Sequence, residues 1–155
     1  MAVARRPERG STLLLFPAAV LIMMALAAMA VDSSIAFLAQ RELANAAAAA
    51  ANDAASEAVS DASFYEQDRI ELSAATVEAV ARDRVFSLVD TNRHHDLTVD
   101  ALALPPTAPG CPWTVRVTAS SRVDALFAKA MPGGSGRTDV RARASATPQQ
   151  NARLC

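Results

Sequence analysis

Large aromatic side chains are scarce in this chain: one Trp, one Tyr and five Phe, 5 % of 155 residues. With so few of them, the soluble part is expected to be a lightly packed domain that leans on partners or cross-links. Lysine is rarer still. Lys129 stands alone among 15 basic residues, and this arginine and alanine bias fits a GC-rich bacterial genome. The arginines have no interleaved aromatics and no base-reading motif, which argues against nucleic-acid binding. Familiar catalytic frames are missing too: no nucleophile elbow, no phosphate loop, no HExxH and no framed pair of carboxylates. The chain is therefore expected to be no enzyme and to use no cofactor.

Charge is absent from Ser11 to Val31, the run STLLLFPAAVLIMMALAAMAV. At about 1.5 Å per residue the run spans roughly 30 Å, the hydrocarbon thickness of a bilayer. Arg5, Arg6 and Arg9 precede it and Asp32 follows it. That asymmetry predicts a single-pass anchor in the cytoplasmic membrane, with a cytoplasmic N-terminus and an extracytoplasmic domain. Pro17 falls in the second turn, where packing within a membrane tolerates it. The competing reading is a cleaved signal peptide. Ala28-Met29-Ala30 is an acceptable A-x-A site, and cleavage there would leave a secreted soluble binding protein without residues 1–30. Two features favour retention: the run exceeds the roughly 7–15 residues of a signal-peptide core, and helix-forming sequence continues straight through the site.

Glycine and proline are absent from Asp32 to Ala62. The anchor and this stretch read as one helix of about fifty residues, dominated by strong helix formers. Ala46 to Ala51 form an unbroken alanine run. Helix propensity alone accounts for it; the sharper reading is close helix–helix approach through Ala46, Ala47, Ala50 and Ala51, because small residues let backbones come together. The predicted organisation is thus a basic cytoplasmic segment (1–10), a transmembrane helix (11–31), its extracytoplasmic continuation (32–62) and a small α+β domain (63–155).

Within that domain a break is expected near Ser60–Ser73, with Phe64 and Tyr65 packing the start of the fold. A helix is expected over Ser73–Val89, where Val77, Val80, Ala81, Val85, Leu88 and Val89 recur near helical spacing. The period then changes to two. Leu97 to Ala103, Trp113 to Ala119 and Val140 to Ala146 each alternate apolar and polar residues, which predicts three half-buried strands in an antiparallel sheet. Ser121-Arg122-Val123-Asp124 reads as a capping box opening a short helix to Met131, stopped by Pro132-Gly133-Gly134. Asp90 to Asp96 fails as a calcium loop, with His95 at the sixth position and Ala101 at the twelfth. Its adjacent histidines, His94 and His95, have no thiolate partner for zinc, so the segment is read as a solvated helix-to-strand loop without a metal.

Cys111 and Cys155 are the two cysteines. Outside the cytoplasm, two cysteines in a core-poor domain commonly pair. A bridge closing about 45 residues would contribute roughly 4 kcal/mol by the chain-entropy estimate. A free terminal thiol and an intermolecular link are the alternatives.

These features together resemble a known family. Arg9-Gly10 opens an apolar run containing a proline. The run closes on Ala30-Val31-Asp32, and Leu38-Ala39-Gln40-Arg41-Glu42-Leu43-Ala44-Asn45 leads into the alanines. This is similar to the TadE/TadG-like proteins of the tight-adherence (Tad, or Flp) pilus system. Trp113-Thr114-Val115-Arg116-Val117, Leu126-Phe127 and Val140-Arg141-Ala142-Arg143-Ala144-Ser145-Ala146 follow that family's strand, short helix and final strand. The resemblance implies a minor pilin-like or assembly component of the cell envelope, with the membrane and other pilin-like or pilus-assembly proteins as partners. Leu15 stands where TadE-type pseudopilins carry a glutamate five residues after the processed glycine, so the chain looks closer to the TadG-like branch.

Overall fold

A single helix, α1 (Ser11–Glu57), carries the apolar run and the alanine-rich stretch without interruption. Pro17 lies inside it, near the start, and does not break it. The computed structural model describes residues 11–59, 71–108, 111–130 and 136–148, with side chains from Leu15 onward. Several sequence expectations lie outside the described residues: the basic N-terminal segment with Gly10, packing by Phe64 and Tyr65, the stop at Pro132-Gly133-Gly134, and Cys155.

At its outer end α1 closes at Glu57, short of the expected Ala62. The Ser56 hydroxyl donates to the Asn52 and Asp53 carbonyls at 3.1 and 2.9 Å, competing with the helical ladder in the last turn. The Ala58 carbonyl is then taken by the Ser73 amide at 3.0 Å, and Val59 bridges Leu72. Ser73 also caps the second helix, α2 (Ala74–Leu88), accepting a hydrogen bond from the Thr76 amide.

Three strands follow: β1 (His94–Leu104), β2 (Thr114–Asp124) and β3 (Arg137–Ala146). They form an antiparallel meander in the order β1-β2-β3. One face carries Val115, Val117, Ala119, Val123, Val140 and Ala142, and it is covered by α1 and α2. The result is an α+β fold in two layers, helices on one side of a small sheet.

Strand β2 runs five residues beyond its expected end and absorbs the supposed capping box. Its inward positions continue through Ser121 and Val123, and both neighbouring strands pair with it there: Ser121 opposite Val140, Val123 opposite His94. Ladder bonds on both sides outweigh a local capping preference. The expected helix shrinks to one 3-10 turn at Ala128–Ala130.

Strand β1 begins at His94, inside the segment expected to be a solvated loop, and His94 is buried. A bulge makes this work. Register slips by one residue between His95 and Thr98, and Asp96 takes φ 52°, a left-handed conformation that aspartate tolerates. The extra residue changes the strand's parity, so His94 and Leu97, three apart, both turn toward the helices.

The core is small-sided, as the scarcity of aromatics implies. Along α1 the buried stripe is Ala39, Leu43, Ala46, Ala47, Ala50, Ala51, Ala54, Ala55 and Ala58. Spacings of three and four keep it on one helical face. Alanine there lets the helix backbone lie close to both the sheet and α2, where Val77, Ala81 and Val85 meet it. Ala46, Ala47, Ala50 and Ala51 therefore pack within the chain's own core, while Ala48 points to solvent.

Candidate functional site

Two regions of this fold hold functional interest: the junction between the apolar helix and the domain, and a buried polar bridge behind the sheet. The junction is built first by α1. Leu15 through Val31 project large apolar side chains, Phe16, Leu21, Ile22, Met23, Met24 and Leu26 among them, that no part of the described chain covers. The helix is long and apolar enough to cross a membrane. Beyond Val31 the same helix turns Ala39 and Leu43 into the core.

Asp32 sits at the changeover. Its carboxylate accepts hydrogen bonds from three consecutive backbone amides: Leu126 at 2.8 Å, Phe127 at 3.1 Å and Ala128 at 2.8 Å. These amides lie 94–96 residues away in sequence. The β2–β3 loop is thereby latched to α1 one residue past the apolar run. The loop is also closed on itself. The Ala125 amide donates to the Gly136 carbonyl at 2.9 Å, and Gly136 takes φ 65° where a Cβ would run into the Lys129 side chain. Around the same loop Asp124 faces Lys129, His95 and Arg137. Desolvation pushes its carboxyl upward, but those three neighbours outweigh it and hold the group below the ordinary 3.8.

The latch sets a prediction. Hydrogen bonds to a charged acceptor are worth about 1.5–3 kcal/mol, and Asp32→Ala removes one carboxylate serving three amides. It is expected to lower stability by roughly that amount, read as a shifted urea midpoint of the full chain in detergent. Asp32→Asn, which keeps an acceptor oxygen, should lose less. Equal midpoints for Asp32→Ala and the parent would show that the contact contributes nothing.

The buried bridge joins α1, β1 and β2. His94 Nδ1 lies 2.8 Å from the Ser121 hydroxyl, and His94 Nε2 lies 3.7 Å from Glu42 Oε2, too far for a hydrogen bond. Glu42 instead accepts from the Asp90 amide at 3.1 Å and from Arg93 at 3.3 Å, holding the α2–β1 turn against α1. Hydroxyl, imidazole and carboxylate have the composition of a nucleophile–base–acid relay. Both Ser121 and His94 are closed off from solvent, so a substrate cannot reach the hydroxyl, and the arrangement works as a structural strut. The bridge is not legible in the sequence, where His94 reads as part of a loop and Ser121 as a helix cap.

The uncovered sheet face carries Arg116, Arg122, Arg141 and Arg143, with Asp100 and Asp139 between them and Arg122 paired to Asp96 at 3.0 Å. Exposed pairs of this kind contribute little to stability. Among the described residues no group of three His, Cys, Asp or Glu side chains gathers as a metal site. Cys111 lies just before β2 and is not a free thiol, while Cys155 is outside the described residues. No family model, no curated protein and no solved structure matches this chain.

Proposed function

We propose that this chain is a single-pass envelope protein of the TadE/TadG-like kind, a minor pilin-like or assembly component of a tight-adherence pilus. Ser11–Val31 would cross the cytoplasmic membrane with residues 1–10 inside and the α+β domain outside. The observation that most supports this is the continuity of α1: an exposed apolar sleeve and the spine of the domain's core belong to one unbroken helix. A cleavable leader is dispensable to the fold behind it. Here the helical ladder runs through Ala28–Ala30 directly into the Asp32 latch.

The role is one of contact, without catalysis. Its partners would be the bilayer and other pilin-like or pilus-assembly proteins. Because Ala46, Ala47, Ala50 and Ala51 are occupied by the chain's own domain, such proteins would meet the apolar sleeve or the outer sheet face. A Cys111–Cys155 cross-link, tying the C-terminus back to the start of β2, is part of the proposal.

Alkaline extraction of membranes combined with intact-mass measurement tests the anchor. The chain is expected to resist extraction and to retain residues 11–31, and external protease should reach the domain in spheroplasts. A mature chain beginning at Val31 in the soluble fraction would replace this reading with that of a secreted soluble binding protein. For the pilus assignment, cross-linking in cells should capture pilin-like or assembly proteins; capture of none of them would count against it.

A further inference from the structure

We propose that the Ala125–Ala128 loop and the Phe37–Leu38 turn of α1 form a lipid-binding collar, seated in the headgroup and upper acyl region of the outer leaflet. The inference rests on the single-pass reading above and adds where the domain lies relative to the bilayer.

Apolar surface does not stop at Val31. Phe37 and Leu38 are 65 % and 59 % exposed on the helix, and Leu126 and Phe127 are 64 % and 44 % exposed on the loop. From Ser11 to Gln40 the only charged residue is Asp32. Its carboxylate is engaged by the three loop amides, so at this level both the charge and the backbone donors of the loop are satisfied. Irregular backbone exposed to lipid is excluded from the hydrocarbon region, so the loop backbone sits at the headgroup level and only its apolar side chains reach the acyl chains. The 28 residues from Ser11 to Leu38 rise about 42 Å as a helix, the thickness of a bilayer with its headgroup regions rather than of the hydrocarbon core alone.

The latch also fixes the height of the loop. Leu126 and Phe127 cannot drift from the helix while their amides bind Asp32. A mainly apolar cleft of about 300 Å³ opens between loop and helix, lined by Met29, Ala36, Phe127 and Ala128 together with the latched Asp32 and Ser33. It is continuous with the apolar sleeve through Met29, which places it where an acyl chain lies. Lys129, next in the chain after Ala128, has an exposed side chain beside Asp124 at 3.9 Å and supplies a positive charge for anionic lipid headgroups. A lipid surface is favoured over a second protein because these groups continue the apolar sleeve: the loop is latched at Asp32, one residue past Val31, and exposed Phe37 and Leu38 follow about 7.5–9 Å further along the same helix.

The experiment uses the full chain reconstituted in phosphatidylglycerol-containing vesicles whose lipids are brominated either high or low on the acyl chain. Tryptophan is introduced singly in a Trp113→Phe background as Phe127→Trp, with Leu102→Trp on the outer sheet face and Leu21→Trp in the span as references. Should Trp113→Phe not fold, the same variants are read as differences from the parent with Trp113 retained. Phe127→Trp is expected to emit to the blue of Leu102→Trp and to be quenched most by the high-brominated lipid, as burial about 5–10 Å into the interface requires. Leu21→Trp should respond to the low-brominated lipid. If Phe127→Trp behaves like Leu102→Trp while Leu21→Trp is quenched, the collar is wrong and the anchor stands. Blue emission from Phe127→Trp that rises with protein-to-lipid ratio and ignores bromine would assign the surface to a second copy and overturn the lipid proposal. If Leu21→Trp is not quenched either, the anchor fails and the collar with it.

Discussion

Ala47→Arg is expected to abolish the folded domain, and Ala48→Arg, one residue along, to leave it nearly unchanged. Ala47 of α1 is fully buried in the core shared with α2 and the sheet, whereas Ala48 faces solvent. Enlarging a close-packed core position costs about 1–3 kcal/mol by overpacking alone. The guanidinium adds the desolvation of a charge with no partner in an alanine and valine core, which costs several kcal/mol more. Together these approach the whole stability of a small domain, about 5–15 kcal/mol. An exposed alanine changed to arginine moves stability by only about 0.5 kcal/mol in either direction. Urea titration of the full-length variants in detergent, followed by Trp113 fluorescence and protease resistance, reads the contrast. Comparable midpoints for the two variants would contradict the burial of this helix face. The pair also separates folding from assembly. If the proposed pilus role holds, loss of assembly in Ala48→Arg with the fold intact would identify a partner on the outer alanine face, and the same loss in Ala47→Arg would say only that the domain is gone.

His94→Ala carries the second large effect. Truncating a fully buried ring removes apolar contacts and leaves a cavity, and core truncations of similar size cost about 2–5 kcal/mol. The Ser121 hydroxyl then loses its partner while remaining buried, a further penalty of about 1–3 kcal/mol. Ser121→Ala alone strands His94 Nδ1 beside an Nε2 that already lacks a hydrogen bond, and is expected to cost about 1–3 kcal/mol. The double variant should cost less than the sum, by a coupling on the order of 1 kcal/mol, since removing both groups strands neither. Strict additivity in the cycle would mean that the 2.8 Å contact contributes nothing to stability.

The fold's broad plan could be read from periodicity because the elements are amphipathic and regular. Val77, Ala81 and Val85 repeat at helical spacing and all three are buried; Val115 and Val117 alternate with Arg116 and are buried while it is exposed. Sequence pattern and fold part where a local signal competes with a distant one. Ser121 to Asp124 has the composition of a cap, but two flanking strands claim those residues first. His94 looked solvated because its neighbours Asn92, Arg93 and Asp96 are polar; the bulge at Asp96 that turns it inward leaves no periodic trace. In the run of six alanines, helical spacing marks Ala46, Ala47, Ala50 and Ala51 as one packing face, and those four are buried while Ala48 is exposed; residue types do not say that the face packs against the chain's own domain.

Local properties were therefore determined by the sequence alone: an uncharged run of membrane length, its continuation as helix, and a switch from period 3.6 to period two that makes an α+β domain. Each depends on residues within a few positions of one another. Only the tertiary structure decided what those elements do to each other. It turned the alanine run into the spine of a core, buried His94 against Ser121, and gave Asp32 its partners 94–96 residues away. Hydrogen bonds and packing across such separations depend on how whole elements are placed, and no local propensity encodes that. Asp32 shows the difference. In the sequence it is the charge that ends the apolar run; in the fold it is the acceptor that ties the domain to the helix at that point.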